Sequence, residues 1–471
     1  MREALVDEHP QRAFAHRVRY NTAWARSNAL AFAFRPACPF IRSSRMTRTL
    51  AEWLAYQEHV NVHSIELGLD RVRAVWQRMG AAAPAHRAIT VGGTNGKGST
   101  VALIEAMLMA AGLRVGSFTS PHLLDYNERV RIDGADVDDV SLVAAFERIE
   151  TARGDLPLTY FEFGTLAALD LFARAQLDVA ILEVGLGGRL DAVNIVDADV
   201  AIITTVDLDH LDWLGPDRDS IGREKAGIAR AGRPAIVGEP DPPLGLLDAL
   251  AASGARVERA GIDFSIERHP TGWSWRHRDG KVMELPDPAL AAPVQFANAA
   301  AAIAALHALC ADGEPIAARN FLAAVSSGLR AVRVSARLQS LGGDPALIVD
   351  VGHNPQAARA LAEWLDEEPR GPLHAVYGAL ADKDVAGVMD ALGSRVGHWH
   401  LAGLERDTPR GLSAVALATV LRQTLPRASF DAHADVATAL AAARAAACPG
   451  ECILAFGSFF VASAVIAERA S

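Results

Sequence analysis

Cysteine is nearly absent. Four in 471 residues, Cys38, Cys310, Cys448 and Cys452, are too few and too scattered for a disulfide framework, which fits a reducing cytoplasm. Cys448 and Cys452 bracket P-G-E, but no second pair or histidine cluster accompanies them in sequence, so a zinc site is not expected there. No apolar run approaches the about 18 residues of a membrane span, and no membrane partner is expected. Positive charge is in deficit, with 46 Lys and Arg against 56 Asp and Glu, which argues against nucleic acid as a partner. The dinucleotide fingerprint G-x-G-x-x-G is missing at the phosphate loop described below, and so is the guanine-reading N-K-x-D of a GTPase switch.

Apolar residues, in contrast, are plentiful at 50%, enough to core about two to four domains. Residues 1–45 hold eight arginines and three acids, a net of +5 in a chain of net −10. They lack the apolar core and cleavage site of a secretory signal, and Met46 opens M-T-R-T-L-A-E-W-L. Residues 1–45 therefore read as an upstream leader without a fold.

The chain is organised around Ala88–Ala111, A-I-T-V-G-G-T-N-G-K-G-S-T-V-A-L-I-E-A-M-L-M-A-A. Ala88–Val91 reads as a buried strand, Gly92–Gly98 as a glycine turn, and Ser99 and Thr100 as the start of a helix. Inward-pointing N–H groups, a helix N-terminus and the Lys97 charge together make a phosphate site. G-T-N-G-K-G-S is a shortened variant of the usual phosphate loop, with Gly98 between the Lys and the hydroxyl residue.

Strands at Leu113–Phe118, Arg129–Ile132, Asp178–Gly185 and Asp199–Val206 alternate with helices at Asp138–Ala152 and within Leu158–Ala175. That alternation predicts an α/β fold: a large N-terminal doubly wound phosphate-loop domain over 46–333, with a mostly parallel sheet. Residues 260–290 suggest a β-hairpin. After Gly342, Gly343 and Pro345 the alternation restarts at Leu347–Val351, His374–Ala379, His398–Leu401 and Cys452–Phe456. This gives a smaller C-terminal Rossmann-like α/β domain over 334–471. Glu183 falls at a strand end, where it is either a metal holder or merely a solvated carboxylate. His210 follows a strand at the same sheet edge, as a ligand or as a structural histidine, and Lys225 alone would be a surface lysine.

Six stretches decide among these readings. G-T-N-G-K-G-S, T-S-P-H-L, L-E-V-G-L-G-G-R-L-D-A-V-N, D-H-L-D-W-L-G, R-E-K-A-G-I and D-V-G-H-N-P, in this order, resemble the folylpolyglutamate synthase family of the ATP-dependent Mur ligase superfamily. The likeness runs from about Leu50 to Ala464 and is greatest to the bifunctional bacterial members. A peptidoglycan ligase of that superfamily would carry an N-terminal nucleotide-sugar domain, for which the about 40 residues between Met46 and the first strand leave no room.

The resemblance implies an ATP-dependent ligase that joins L-glutamate to dihydropteroate and to tetrahydrofolate through an acyl phosphate; folate extension alone is the alternative. By the same resemblance Thr94, Asn95, Gly96 and Lys97 hold ATP, with Asn298, Arg337 and Asp350. Ser120, Glu183 and His210 match ligands of Mg²⁺. Lys225 matches a lysine carried as a carbamate that serves a second Mg²⁺. Lys97, Lys225 and His210 form the catalytic set. Ile65, Glu66, Leu67, Gly68, Thr159, Phe161, Asp191 and Ala192 match a pterin pocket in which Phe161 stacks on the flat ring. Ser335-Ala336 replaces the family's usual Pro-Gly, which predicts a looser hinge before Arg337. A cytoplasmic monomer is expected.

Overall fold

The computed structural model describes residues 48–61, 65–311, 320–367 and 371–470, so the leader expected at 1–45 lies outside the described residues. Its first half is an eight-stranded sheet. In spatial order the strands are Ala135–Asp136, Val130–Ile132, Val115–Phe118, Leu177–Glu183, Ala85–Gly92, Val200–Ile203, Pro234–Val237 and Arg256–Arg259. Six run parallel, and the first two form an antiparallel edge. The central strands are continuous apolar runs because both faces are covered. Ile181 joins the cluster containing Ile104, Trp273 and Ala302, whereas its neighbour Leu182 joins the one containing Phe146, Phe163 and Phe172.

Pairing Val91 with both Glu183 and Ile202 brings the phosphate loop, Glu183 and the segment after Ile203 to one carboxyl edge. Ligands of open parallel sheets bind at that edge. Residues 260–290 form a three-stranded antiparallel meander, Phe264–His269, Gly272–His277 and Val282–Leu285, rather than a single hairpin. Trp273 and Trp275 are fully buried under it. The helix Val294–Ala311 is long and apolar enough to cross a membrane by length and composition, which uninterrupted runs did not reveal. Here 67% of it is buried inside the protein.

After the helix Phe321–Ala331 the chain enters a second sheet. Its spatial order is Gln339–Gly342, Ala346–Val349, Cys452–Phe456, Leu373–Tyr377, Val396–Ala402 and Phe430–His433, parallel except for the first pair. Helices cover both faces, giving two further apolar clusters. The α/β class, with a large mostly parallel sheet followed by a smaller one, is as the alternation predicted.

The helix Lys97–Ala110, which carries the phosphate loop, is wedged against Phe321–Ala331. A Cβ on Gly328 would sit 2.7 Å from the Met107 Cα and N atoms. Alanine gains about 1 kcal/mol of helix propensity over glycine, but overpacking against backbone costs about 1–3 kcal/mol. Gly328→Ala is therefore expected to destabilise the protein, by up to about 2 kcal/mol in urea unfolding, against the usual direction of this exchange.

Candidate functional site

The loop is held by close approach. Gly93 has φ +148°, and a Cβ there would fall 1.8 Å from Thr204 Oγ1. Gly96, at φ +84°, caps the helix, and its Cβ would meet Asn298 Oδ1 at 2.5 Å. Only glycine fits either position. The helix begins at Lys97, two residues before the predicted start at Ser99. Thr94 N–H donates to Thr205 O at 2.8 Å, and the Thr94 hydroxyl exchanges hydrogen bonds with the Asp207 backbone. Lys97 Nζ donates to Gly93 O at 2.9 Å and Thr94 O at 3.2 Å, which holds the ammonium over its own loop.

A cavity of ≈ 130 Å³ gathers Thr94, Asn95, Gly96, Lys97, Ser120, Glu183, His210, Lys225 and Arg337. Glu183 is buried at its strand end and accepts the Ser120 N–H on Oε2 at 3.1 Å. Burial raises its pKa, opposed first by Lys97. Burial lowers that of Lys97, opposed first by Glu183. His210 sits in a left-handed turn, φ +52°, and burial brings its pKa down to about 4, so the imidazole is neutral. A carboxylate, a neutral imidazole and a hydroxyl residue facing a phosphate loop are donors suited to a divalent cation. Lys225, 3% exposed, has its pKa pulled to about 7, first by burial and then by Lys97.

A second cavity, of ≈ 290 Å³, contains all eight residues expected around the pterin: Ile65, Glu66, Leu67, Gly68, Thr159, Phe161, Asp191 and Ala192. Two of them hold backbone as well as line the pocket. The Thr159 hydroxyl caps the helix Tyr160–Ala175 in a capping box with Glu162. Asp191 accepts the Leu186 N–H at 2.8 Å and the Val193 N–H at 3.1 Å; burial raises its pKa to about 7. The Phe161 ring lies against Gly185, where a Cβ would meet it at 2.6 Å. A third cleft, of ≈ 630 Å³, runs from Gly98 past Arg337 to Phe459.

Two family models match, the Mur ligase middle domain over residues 91–306 and the Mur ligase glutamate ligase domain over 336–459. The dihydrofolate synthase/folylpolyglutamate synthase of Escherichia coli is 45% identical, the match covering 90% of this chain and 96% of that protein. The solved E. coli FolC in complex with DHPP and ADP superposes with a TM-score of 0.83 at 45% identity, covering 90% of this chain and 99% of that one. A bifunctional folylpolyglutamate synthase/dihydrofolate synthase with Mn, AMPPNP and L-glutamate bound gives 0.81 at 46% identity, covering 90% and 99%. The chain belongs to the dihydrofolate synthase/folylpolyglutamate synthase family. It is an ATP-dependent ligase of the Mur ligase fold.

In this family member the loop is fastened from the second sheet, by residues that sequence reasoning missed. Asn95 Nδ2 donates to Asn354 Oδ1 at 3.0 Å and Gln356 Oε1 at 2.6 Å. Lys383, whose side chain is 6% exposed, pairs with Asp209 at 2.7 Å. Burial raises the Asp209 pKa, but His353, His210 and Lys383 together hold it far below the usual carboxylate range. Arg129 was missed as well: it lines the ≈ 290 Å³ cavity, lies over the Tyr126 and Tyr160 rings, and donates from Nε to His122 Nδ1 at 2.9 Å. The turn around Arg337 is pinned rather than loose. Ala336 takes the left-handed φ of +55° that the missing glycine would favour; its N–H donates to Gln339, and the Leu338 N–H donates to Asp350 at 2.8 Å. Asp350 thus shapes the turn that carries Arg337. Asn298 donates to Gln295 at 2.9 Å beside Gly96.

Lys225 gives a signed pH prediction. Its folded pKa of about 7 lies below the usual 10.5. The unfolded chain therefore binds a proton that the folded chain releases across that window, and stability rises with pH through it. Lys225→Met removes the penalty. In ligand-free, bicarbonate-free buffer its melting temperature is expected to exceed the parent's near neutral pH, and the gain should shrink by about 1.4 kcal/mol per pH unit towards 10.5.

Proposed function

We infer that the chain joins the amino group of L-glutamate to the carboxyl of dihydropteroate, and to that of a folate already carrying glutamate, with ATP as the driving substrate. The observation that carries this is the continuity of the three cavities. Ser120 and Pro121 line all three, and Gly185, Leu186 and His210 are shared by the phosphate cavity and the pterin-type pocket. A substrate lying against Phe161 can reach the loop from one side while a second approaches through the ≈ 630 Å³ cleft. The solved relatives hold DHPP with ADP, and AMPPNP with L-glutamate.

In this reading the substrate carboxylate attacks the γ-phosphorus and ADP leaves, giving an acyl phosphate. The glutamate amine then attacks the acyl carbon and phosphate departs. Lys97 and the amides of Gly96–Ser99 at the helix N-terminus hold the phosphates, with Asn298 and the Asp350-supported Arg337 as further nucleotide contacts. Ser120, Glu183 and His210 fit one Mg²⁺, and a Lys225 carbamate fits a second; when bound, these ions polarise the phosphoryl oxygens. The Lys225 amine suits carbamate formation because its pKa of about 7 leaves a large neutral fraction at neutral pH. Arg129 is the cationic side chain lining the pterin-type pocket, where it can meet a substrate carboxylate. We place the domain boundary at 333/334, within the connection between Ala331 and Gln339, and residues 1–45 outside both domains. We take the enzyme to act as a monomer, and a cytoplasmic enzyme fits the cysteine usage.

Phosphate release is the direct test. It should require ATP and L-glutamate with either dihydropteroate or tetrahydrofolate. Activity with tetrahydrofolate alone would reduce the function to polyglutamylation, and activity with neither would remove the reading. Lys97→Ala should lower turnover at least ~10²-fold while the protein still folds and unfolds in one cooperative transition. Asp191→Ala should lower dihydropteroate ligation at least ~10-fold, about 1.4 kcal/mol of transition-state stabilisation, and tetrahydrofolate ligation less. The contrast is read from kcat/KM with each substrate.

A further inference from the structure

Away from the catalytic edge, the second sheet collects four histidines. His374 lies on Leu373–Tyr377, His398 and His400 on Val396–Ala402, and His433 on Phe430–His433. His398 and His400 are two residues apart on one strand and so share a face. His374 pairs in register beside His400, opposite His398, and Asp431 pairs with His400. The His398–His400, His374–His400 and His400–His433 ring centroids are 4.7, 5.4 and 5.7 Å apart. His374 and Glu451 stand at the amino-terminal ends of their strands, whereas Lys383 and the catalytic seam lie beyond the carboxyl ends.

The polar contacts select a tautomer. His374 Nε2 meets Glu451 Oε2 at 3.2 Å, and His374 Nδ1 meets His400 Nε2 at 3.1 Å. If Glu451 accepts from His374, then His374 Nδ1 accepts from His400 Nε2–H, and the His400 lone pair is left on Nδ1. Residue 400 is 1% exposed, and Nδ1 has no hydrogen-bond partner among the described residues. An unmet buried nitrogen costs about 1–3 kcal/mol, so packing alone is a poor reason for a histidine here. His398 Nε2 meets Asp431 Oδ2 at 3.0 Å, and one ligand atom each from His398, His400 and Asp431 lie within 4.8 Å of one another. The Asp431 side chain is 64% exposed and that of His398 25%, which leaves a path from solvent.

We propose that His398, His400 and Asp431 bind a divalent transition metal of the Zn²⁺, Co²⁺ and Ni²⁺ class, with water completing the shell. Two imidazoles and a carboxylate select these borderline ions over Mg²⁺. Glu451 and His374 orient His400 from behind, the arrangement that fixes a ligating imidazole. The ion would tie the edge strand Phe430–His433 to its neighbour, and would leave the phosphate loop untouched.

The test uses the full chain without an affinity tag, stripped with chelator and held in excess Mg²⁺ so that hard-cation sites are filled. Zn²⁺ titrated against a chromogenic chelator should give one tight equivalent, and Co²⁺ a visible d–d band. His398→Ala and Asp431→Asn, both at solvent-reached positions, should each weaken Zn²⁺ at least ~10-fold and lose the Co²⁺ band. Zn²⁺ should raise the melting temperature of the parent and not of these variants. His307→Ala, in the separate His277, Asp279 and His307 group, should leave the tight equivalent intact. No tight Zn²⁺ on the parent, unchanged binding by both cluster variants, or loss of binding in His307→Ala would each overturn the assignment.

Discussion

Two ammonium groups and one carboxylate are withdrawn from water together at the sheet edge. Lys97, Lys225 and Glu183 share one small cavity, and burial is the largest influence on the protonation of each. Desolvating several charges at once is unfavourable unless partners arrive to meet them. The fold assembles this set through strand register, which puts Glu183 level with the end of the loop strand, and through a loop too tight for any Cβ at Gly93 or Gly96. A polyanion with its cations is the natural complement of such a pocket. Two further cavities open onto the same pocket, sharing Ser120 and Pro121 with it.

How legible this was depended on whether the signal was contiguous. The central strands were readable because burial on both faces writes an unbroken apolar run, as in A-I-T-V and D-V-A-I-L-E-V-G. Arg256–Arg259, R-V-E-R, and Phe430–His433, F-D-A-H, are edge strands with no such run, and only pairing reveals them. The meander was taken for a hairpin because its third strand, V-M-E-L, is short. The loop, Glu183, His210 and Lys225, which the fold gathers around one cavity, each sit inside a local motif.

Asp209 lies inside the motif D-H-L-D-W-L-G, but its pairing with Lys383 carries no local signal, since 174 positions separate the two residues that meet at 2.7 Å. The same holds for Arg129, whose meaning comes from the Tyr160 ring and from His122. The four-histidine group beside Glu451 was likewise invisible, because three strands supply it. Ala336 shows the opposite limit. A residue exchange that reads as a loosened hinge is compensated by hydrogen bonds from the Ala336 and Leu338 N–H groups to Gln339 and Asp350, which hold a left-handed alanine in place.

Asn95 belongs to two bodies at once. Its backbone is part of the phosphate loop, and its side chain is bonded to Asn354 and Gln356, at the start of the helix that follows the second sheet's strand Ala346–Val349. Occupancy of the loop and docking of that sheet are therefore thermodynamically linked, and linkage is reciprocal: whatever free energy nucleotide contributes to docking, docking returns to nucleotide affinity. A population in which the seam is open is a reservoir of low-affinity enzyme, and the apparent dissociation constant for ATP scales inversely with the docked fraction. Residues away from the loop itself, such as Gln356 and Lys383, are in this sense part of the enzyme's affinity for nucleotide.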